Sequence, residues 1–458
     1  MNPRSGPDAC PGAVRVHPAA DGGLARVRLP GGRLPRRALA ALAAAAADLG
    51  DGRLDLTSRG NVQLRGLSPG AETELGTRLR AAGLLPSIAH ERARNVVCSP
   101  LSGRSGGVVD IRGLISEFDA GLCADPALAG LSGRFLFAFD DGRGDVTALR
   151  PDLGAHALDA DTFALVIAGS DSGVRVAFPD AVGLLLDVAR GFLDVSGTAW
   201  RTADLDDPIA ALTPFLPTTG TPTSFPAPPV PPVGPIQQRD GRTALAALVP
   251  LGRLEPAALT ALLDTAADEI VITPWRTVVL PDLPGPASLG GGLITDPASA
   301  WRGVTACAGR PGCAKSLTDV RADAARSLTL APLDLLPSPH DAAPPAPTPP
   351  APTLPAPTLP APAAPAARAA PAAPSAPGSP GSPASPSGVP CGAASDAPGS
   401  PPVHWVGCGR VCGRPAGPHV AVVATGDGYE VRAGDDVLAR SRDLTATAAA
   451  VATTRRKM

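Results

Sequence analysis

The alternation of apolar and polar positions spells one pattern twice. From Leu24 to Leu67 the chain reads as a strand, a Gly turn, and a helix carrying Leu39, Leu42, Ala46 and Leu49 inward. Gly50 follows as a stop signal, then a pair of strands. From Thr243 to Leu283 the same order returns: strand, a Gly-Arg-Leu turn, a helix with Leu259, Leu262, Leu263 and Ala266, then two strands. Arg33-Leu34 matches Arg253-Leu254, and Thr57 matches Thr273. A strand–helix–strand–strand unit used twice predicts a pseudo-twofold α+β architecture. The bland alternative is two unrelated α+β units in Ala-rich sequence.

Between the copies, residues 90–205 read as an α+β domain. The run from Arg134 predicts a strand, a turn at Asp141-Gly142 and a second strand. Phe163–Gly169 and Val174–Pro179 predict a hairpin across Ser170-Asp171-Ser172, and Ala181–Leu193 a helix. A last domain starts near Ser288, with helical spacing over Ala314–Ala325. That helix would aim its N-terminus, favourable to negative charge, at the cysteines that precede it. The expected division is 1–89, 90–205, a Pro-rich linker over 206–238, 239–287, then 288–336 joined with 403–440, and a tail over 441–458. Residues 337–402, with the repeat APTLPAPTLPAP, have too little apolar surface to order themselves and are expected to be a disordered insertion. Such an insertion is tolerated because loop-closure entropy grows only logarithmically with length. Cys391 falls within it.

Composition refines this reading. The 458 residues allow several domains, and a net charge of −2 argues against nucleic acid as the main partner. Almost every cation is Arg, the only lysines being Lys315 and Lys457. Guanidinium forks grip carboxylates in a bidentate way that an ammonium cannot. The N-terminus lacks an apolar secretory core, and Ala38–Ala47 is too short to span a bilayer. A soluble, cytoplasmic protein with no membrane partner is expected.

Eight cysteines in a long chain point to a metal site more than to a disulfide framework when they cluster. Cys307 and Cys313 lie within TACAGRPGCAKS, and Cys408 and Cys412 within HWVGCGRVCGRP. Four thiolates on two Gly-bearing loops are the ligand set of a [4Fe-4S] cluster or a tetrahedral zinc. The wider spacing of the first pair fits zinc poorly, and unrelated free thiols are the remaining reading. Cys10 and Cys123 have no partner by spacing, and Cys98 reads as a small buried side chain.

TSRGNVQLRGL (Thr57–Leu67), RNVVCSPLSG (Arg94–Gly103) and the two cysteine loops resemble the sirohaem nitrite/sulfite reductase superfamily. CPGAVRVHPAADGGLARVRLPGGRL, GRFLFAFDDGRGDV, ACAGRPGCAKSLTDVRAD and HWVGCGRVCGRPAGPHV narrow the resemblance to the precorrin-3B synthase family of aerobic cobalamin biosynthesis. The fold then implied is a duplicated reductase-like architecture: ferredoxin-like half-domains plus two α+β domains for cluster and tetrapyrrole. The reductases carry two lysines where this chain has Arg134 and, with Phe135 between, Leu136. A second cation for sulfite or nitrite is therefore missing.

The resemblance implies precorrin-3A in place of sirohaem, with no sirohaem expected. O2 and two electrons from an external reductant, NADH or a reductase, would hydroxylate C20 while a ring-A acetate closes a γ-lactone. It also raises a mononuclear non-haem iron, but no two-His-one-carboxylate spacing marks its ligands, and His17, His404 and His419 read as structural. By motif position the substrate-binding residues would be Arg59, Asn61, Arg65, Arg92, Arg94, Asn95, Arg134, Arg276 and Arg310. The competing expectations are a sirohaem-dependent nitrite or sulfite reductase and a non-catalytic iron–sulfur electron carrier or redox sensor.

Overall fold

The computed structural model describes residues 8–218, 220–330, 401–415 and 417–458. The insertion expected over 337–402, with Cys391, lies outside them but for its last two residues. The first copy supplies β1 (His17–Ala19), β2 (Gly22–Val27), β3 (Arg33–Pro35), α1 (Arg36–Leu49), β4 (Leu54–Leu56), β5 (Val62–Leu67) and α2 (Ala71–Ala81). Next come β6 (Val96–Cys98), α3 (Arg112–Ala124), β7 (Phe137–Asp140), β8 (Leu153–Ala157), β9 (Thr162–Ile167), β10 (Ser170–Ala177), α4 (Ala181–Val195) and the short α5 (Pro208–Leu212). The second copy follows as β11 (Gly234–Gln237), β12 (Thr243–Leu248), β13 (Arg253–Leu254), α6 (Pro256–Thr265), β14 (Glu269–Ile272) and β15 (Thr277–Leu283). The C-terminal domain holds β16 (Val304–Ala306), α7 (Val320–Leu330), β17 (Val403–Val406), β18 (Val420–Thr425), β19 (Gly428–Ala433), β20 (Asp436–Ser441) and α8 (Leu444–Lys457).

The two copies exchange a strand. One sheet runs β1-β2-β5-β4-β13 and another β11-β12-β15-β14-β3, so each Arg-Leu strand pairs with the other copy. Reciprocal ion pairs pin the exchange: Arg33 to Glu269 at 3.0 Å and Arg253 to Asp55 at 2.8 Å. Leu39, Leu42 and Ala46 from α1 share one core with Leu259 and Leu262 from α6. The loops are copies as well. Asn61 N–H donates to Thr57 Oγ1 at 3.1 Å, and Thr277 N–H to Thr273 Oγ1 at 3.3 Å.

The duplication extends further than the repeat in the sequence. The sheet β10-β9-β8-β7-β6 and the sheet β16-β17-β18-β19-β20 share one plan: three parallel strands followed by two antiparallel ones. Helices α3 and α7 join the first and second strands of each, and α4 and α8 follow the last. The residues expected as a tail are therefore the counterpart of α4. Helix α8 packs on α7, β19 and β20, burying Thr447 and Ala448.

Three local expectations change. No strand follows the Asp141-Gly142 turn, because the Asp140 carboxylate accepts four backbone amides, from Gly142, Gly144, Val146 and Thr147, and winds the chain around itself. The hairpin turns at Ala168-Gly169, and Ser170-Asp171-Ser172 belongs to β10 with a bulge beyond it. Helix α7 starts at Val320 rather than Ala314, since the intervening residues form the cysteine loop's return. The Pro-rich 206–238 stretch is also tied down: Thr223 N–H donates to Asp171 at 2.8 Å, and Phe225 stacks on His156 at 4.4 Å.

Candidate functional site

The cysteine pairs follow the C-terminal ends of neighbouring parallel strands. Strand β16 leads into Cys307 and β17 into Cys408, with Thr305 opposite His404 and Ala306 opposite Trp405. Chain segments far apart in sequence thus deliver two loops to one edge. Gly407 N–H donates to Cys307 Sγ at 3.3 Å. Only glycine fits at 407, because a Cβ would lie 1.7 Å from Ser316 Oγ. Val411, between Cys408 and Cys412, has φ 48° and packs with Val406, Ala421, Val423 and Cys307. A branched residue in the left-handed region is a strained position that the surrounding packing must hold.

Burial first, then Cys408, Cys307 and Cys313, push the Cys412 thiol up. Among the described residues no group of three or more His, Cys, Asp or Glu side chains is closed to metal-coordinating reach. The chemistry of the set still fits a cluster: four soft donors from two loops, mutually repelling when ionised, with a backbone N–H aimed at one sulfur. His404 is fully buried behind this loop, and burial lowers its pKa to about 4, leaving the ring neutral. His419 bonds the Gly417 carbonyl at 2.8 Å, and His17 lies on the exposed edge strand β1.

A buried cationic cradle lies where the first copy meets the 90–205 domain. Arg26 and Arg28 lie two residues apart on β2 and just past its end, so both project to one face. Arg26 donates to the Gln63 carboxamide oxygen at 3.0 Å, in the amide orientation that satisfies both groups. Arg28 is only 2% exposed, reaches the Arg92 and Gly133 carbonyls at a long 3.4 and 3.5 Å, and among the described residues leaves Nη1 with no partner. Burial, then Arg26 and Arg59, hold its pKa well below the ordinary guanidinium value. Arg59, half-buried, is lowered to about 10 by burial and then by Arg201.

The predicted residues divide by what their side chains already hold. Asn61 accepts Leu29 N–H at 2.9 Å and donates to Asn95 at 3.2 Å, while Asn95 donates to Arg92 and Gly133 carbonyls at 3.1 and 2.8 Å. These two amides build the wall of the cradle. Arg92 donates to the Asp8 carbonyl at 2.8 Å, and Arg134 lies 5.0 Å over the Trp200 ring. Leu136 packs with Val97, Ala138 and Val146 in an apolar cluster. Arg94 is turned away and held bidentately by Asp119 at 2.7 Å, where it cannot grip a ligand.

Three others sit on the cysteine side. Arg65 grips Asp21 bidentately and donates to the Gly312 carbonyl at 2.7 Å, and a Cβ on Gly312 would collide with that guanidinium. Arg310 bonds the Ser316 carbonyl within the first cysteine loop. Arg276 is half-buried with φ 58°, its pKa lowered by burial and then Arg321. Asp55 ties this side together, accepting from Arg253 at 2.8 Å and Arg321 at 3.0 Å while Arg321 Nε donates to the Cys307 carbonyl. Arg26 and Arg28 were not among the expected residues. Their signal is the internal repeat, which places Ala246 and Leu248 at the same positions of the second copy.

Residues 17–82 match the nitrite/sulfite reductase ferredoxin-like half domain. Among solved structures the chain is similar to Mycobacterium tuberculosis NirA protein, with TM-score 0.63 and 20% identity over 91% of this chain and 76% of that one. The fold matches the nitrite/sulfite reductase architecture. The chain also resembles the precorrin-3B synthase of a Sinorhizobium species, 27% identical over 71% of this chain and 74% of the relative. A shorter stretch, 26% of this chain, is 34% identical to the ferredoxin–nitrite reductase of Synechococcus elongatus and covers 25% of it. Among the described residues no helix is long and apolar enough to cross a membrane.

Proposed function

We propose that this protein is a precorrin-3B synthase: it hydroxylates precorrin-3A at C20 with O2 while the ring-A acetate closes a γ-lactone. One oxygen atom enters the product; the other leaves as water on two electrons and two protons from an external reductant, NADH or a reductase. The carrying observation is the buried cradle of Arg26, Arg28 and Arg59: among the described residues none of the three has an ion pair, and Arg28 Nη1 has no hydrogen-bond partner. Fixed cations of this kind suit a flat polycarboxylate, and their preorganisation orients the ring without cost at the moment of reaction.

Cys307, Cys313, Cys408 and Cys412 would hold a [4Fe-4S] cluster, which when bound supplies electrons one at a time. The chain's own part is mechanical and electrostatic. Arg59 grips a substrate carboxylate; Arg28 and Arg26 strengthen the field behind it. Asn61 and Asn95 fix the carbonyls that border the cradle, and Arg65 ties the first copy to the cysteine loop. Arg92, Arg134, Arg276 and Arg310 line or brace the surrounding loops as secondary contacts. A mononuclear iron belongs to this reading only as a further centre without assigned ligands.

The competing reading is a sirohaem-dependent nitrite or sulfite reductase, favoured by the local match to a nitrite reductase. Leu136 in an apolar cluster weighs against it, since a small oxyanion lacks its second cation there. The deciding test is the absorption spectrum of anaerobically purified protein with iron, sulfide, zinc and sirohaem analysis. A broad iron–sulfur shoulder with about four irons per chain supports the proposal. Stoichiometric sirohaem with an intense haem-type band restores the reductase, and zinc alone removes both.

A further inference from the structure

We infer that His404, braced by Thr305, positions the Cys412 carbonyl and so fixes the second cysteine loop around the cluster, without being a ligand itself. The inference rests on the reading of Cys412 as a cluster ligand. His404 Nε2 lies 2.9 Å from the Cys412 carbonyl oxygen. A carbonyl only accepts, so Nε2 carries the proton and the neutral ring leaves Nδ1 as an acceptor. Thr305 Oγ1 lies 2.8 Å from Nδ1 and 3.2 Å from the Val403 carbonyl, and its one hydroxyl proton serves the nearer acceptor, Nδ1. Both ring nitrogens are thereby occupied, and no lone pair remains for a metal.

The internal duplication provides the control. Thr305 and His404 face each other across β16 and β17; Val97 and Ala138 occupy the same register across β6 and β7. There the pair is apolar and packs with Leu136 and Val146. The same sheet plan folds with either pair, and burying an imidazole and a hydroxyl costs more than burying Val and Ala. The polar pair occurs in the domain whose following loops carry Cys307 and Cys412. What it adds is a fixed donor to a loop already strained at Val411 and open at Gly413 (φ 79°). A partner that orients a ligand-bearing group is worth roughly 10–100-fold in metal affinity.

The test uses the full chain, purified anaerobically, as wild type, His404→Leu, His404→Gln, Thr305→Val, Thr305→Ser and Cys412→Ala. Iron and sulfide content, the bleaching rate of the cluster band in air and the EPR signal of a three-iron species are measured for each. His404→Leu should shed cluster iron about 10-fold faster or more, and Thr305→Val faster in the same direction. His404→Gln keeps an N–H for the carbonyl and Thr305→Ser keeps the hydroxyl, so both should recover most of the difference. If His404→Leu does not fold, the two Thr305 variants carry the comparison. Wild-type lifetimes in His404→Leu and Thr305→Val, or a Gln variant as labile as Leu, overturn the brace while the cluster assignment stands. A cluster retained in Cys412→Ala overturns both.

Discussion

Arg28→Met should make the unliganded protein more stable and the liganded one weaker. Arg28 is buried with one donor unpaired, two long contacts to carbonyls, and Arg26 and Arg59 as like-charged neighbours. The carbonyls it would abandon keep better partners, since Asn95 donates to both at 3.1 and 2.8 Å. Removing an unsatisfied buried donor of this kind recovers about 1–3 kcal/mol. A thioether of similar length refills the space. The opposite sign is expected for binding: one lost charge-assisted contact costs about 1.5–3 kcal/mol, roughly 10- to 150-fold in affinity. The assay is urea unfolding without ligand, beside fluorescence titration with uroporphyrin as a stable polycarboxylate tetrapyrrole. Arg94→Met is the control. Its bidentate partner Asp119 would be stranded, so stability should fall by about 3–5 kcal/mol. If Arg28→Met destabilises the free protein as Arg94→Met does, Arg28 is a structural cation and the cradle argument fails.

Cys412→Ala should lose the cluster and lower the C-terminal domain's unfolding temperature; an intact cubane spectrum in that variant contradicts the ligand set. Asp55→Ala strands Arg253 and Arg321 and should cost about 3–5 kcal/mol, read by denaturant unfolding, with cluster loading impaired through the Arg321 contact to the Cys307 carbonyl. Asp282, hydrogen-bonded by Arg104, is lowered to about 2. Its contribution is complete above the ordinary carboxylate pKa of about 4 and disappears as pH falls toward 2, so Asp282→Asn should flatten the acid limb of stability against pH. Replacing residues 343–388 by a short Gly-Ser linker should leave iron content unchanged, because β16 and β17 pair directly whatever connects them; loss of iron would show that the segment is needed.

The duplicated half-domains were legible because the helix faces obey a 3.6-residue period, as Leu39, Leu42 and Ala46 show, and because Gly50 closes the first helix. The exchange of β3 and β13 was not: strands of three and two residues have no periodicity, and their partners lie across the molecule. The second duplication was hidden by chemistry, since His404 and Thr305 stand where the other domain has Ala138 and Val97. Helix α8 escaped notice because Ala and Thr give only a faint apolar face. In the site, the cysteine spacing singled out four candidate ligands, whose two loops follow paired strands β16 and β17. Arginine function could not be read from motif position, because Arg94 and Arg65 are bound to Asp119 and Asp21 while Arg28 has no ion pair among the described residues. Distinguishing a paired from an unpaired guanidinium requires the partners that only tertiary structure supplies.

The central claim is oxygen insertion into a tetrapyrrole. Purified protein carrying its cluster, incubated with precorrin-3A and a chemical reductant in air and under strict anaerobiosis, tests it by product mass. The account predicts a product heavier by one oxygen atom in air and unchanged substrate without O2, with heavy-isotope label appearing when labelled O2 is used. Unchanged precorrin-3A in air, together with rapid reduction of nitrite or sulfite by the same preparation, would contradict it.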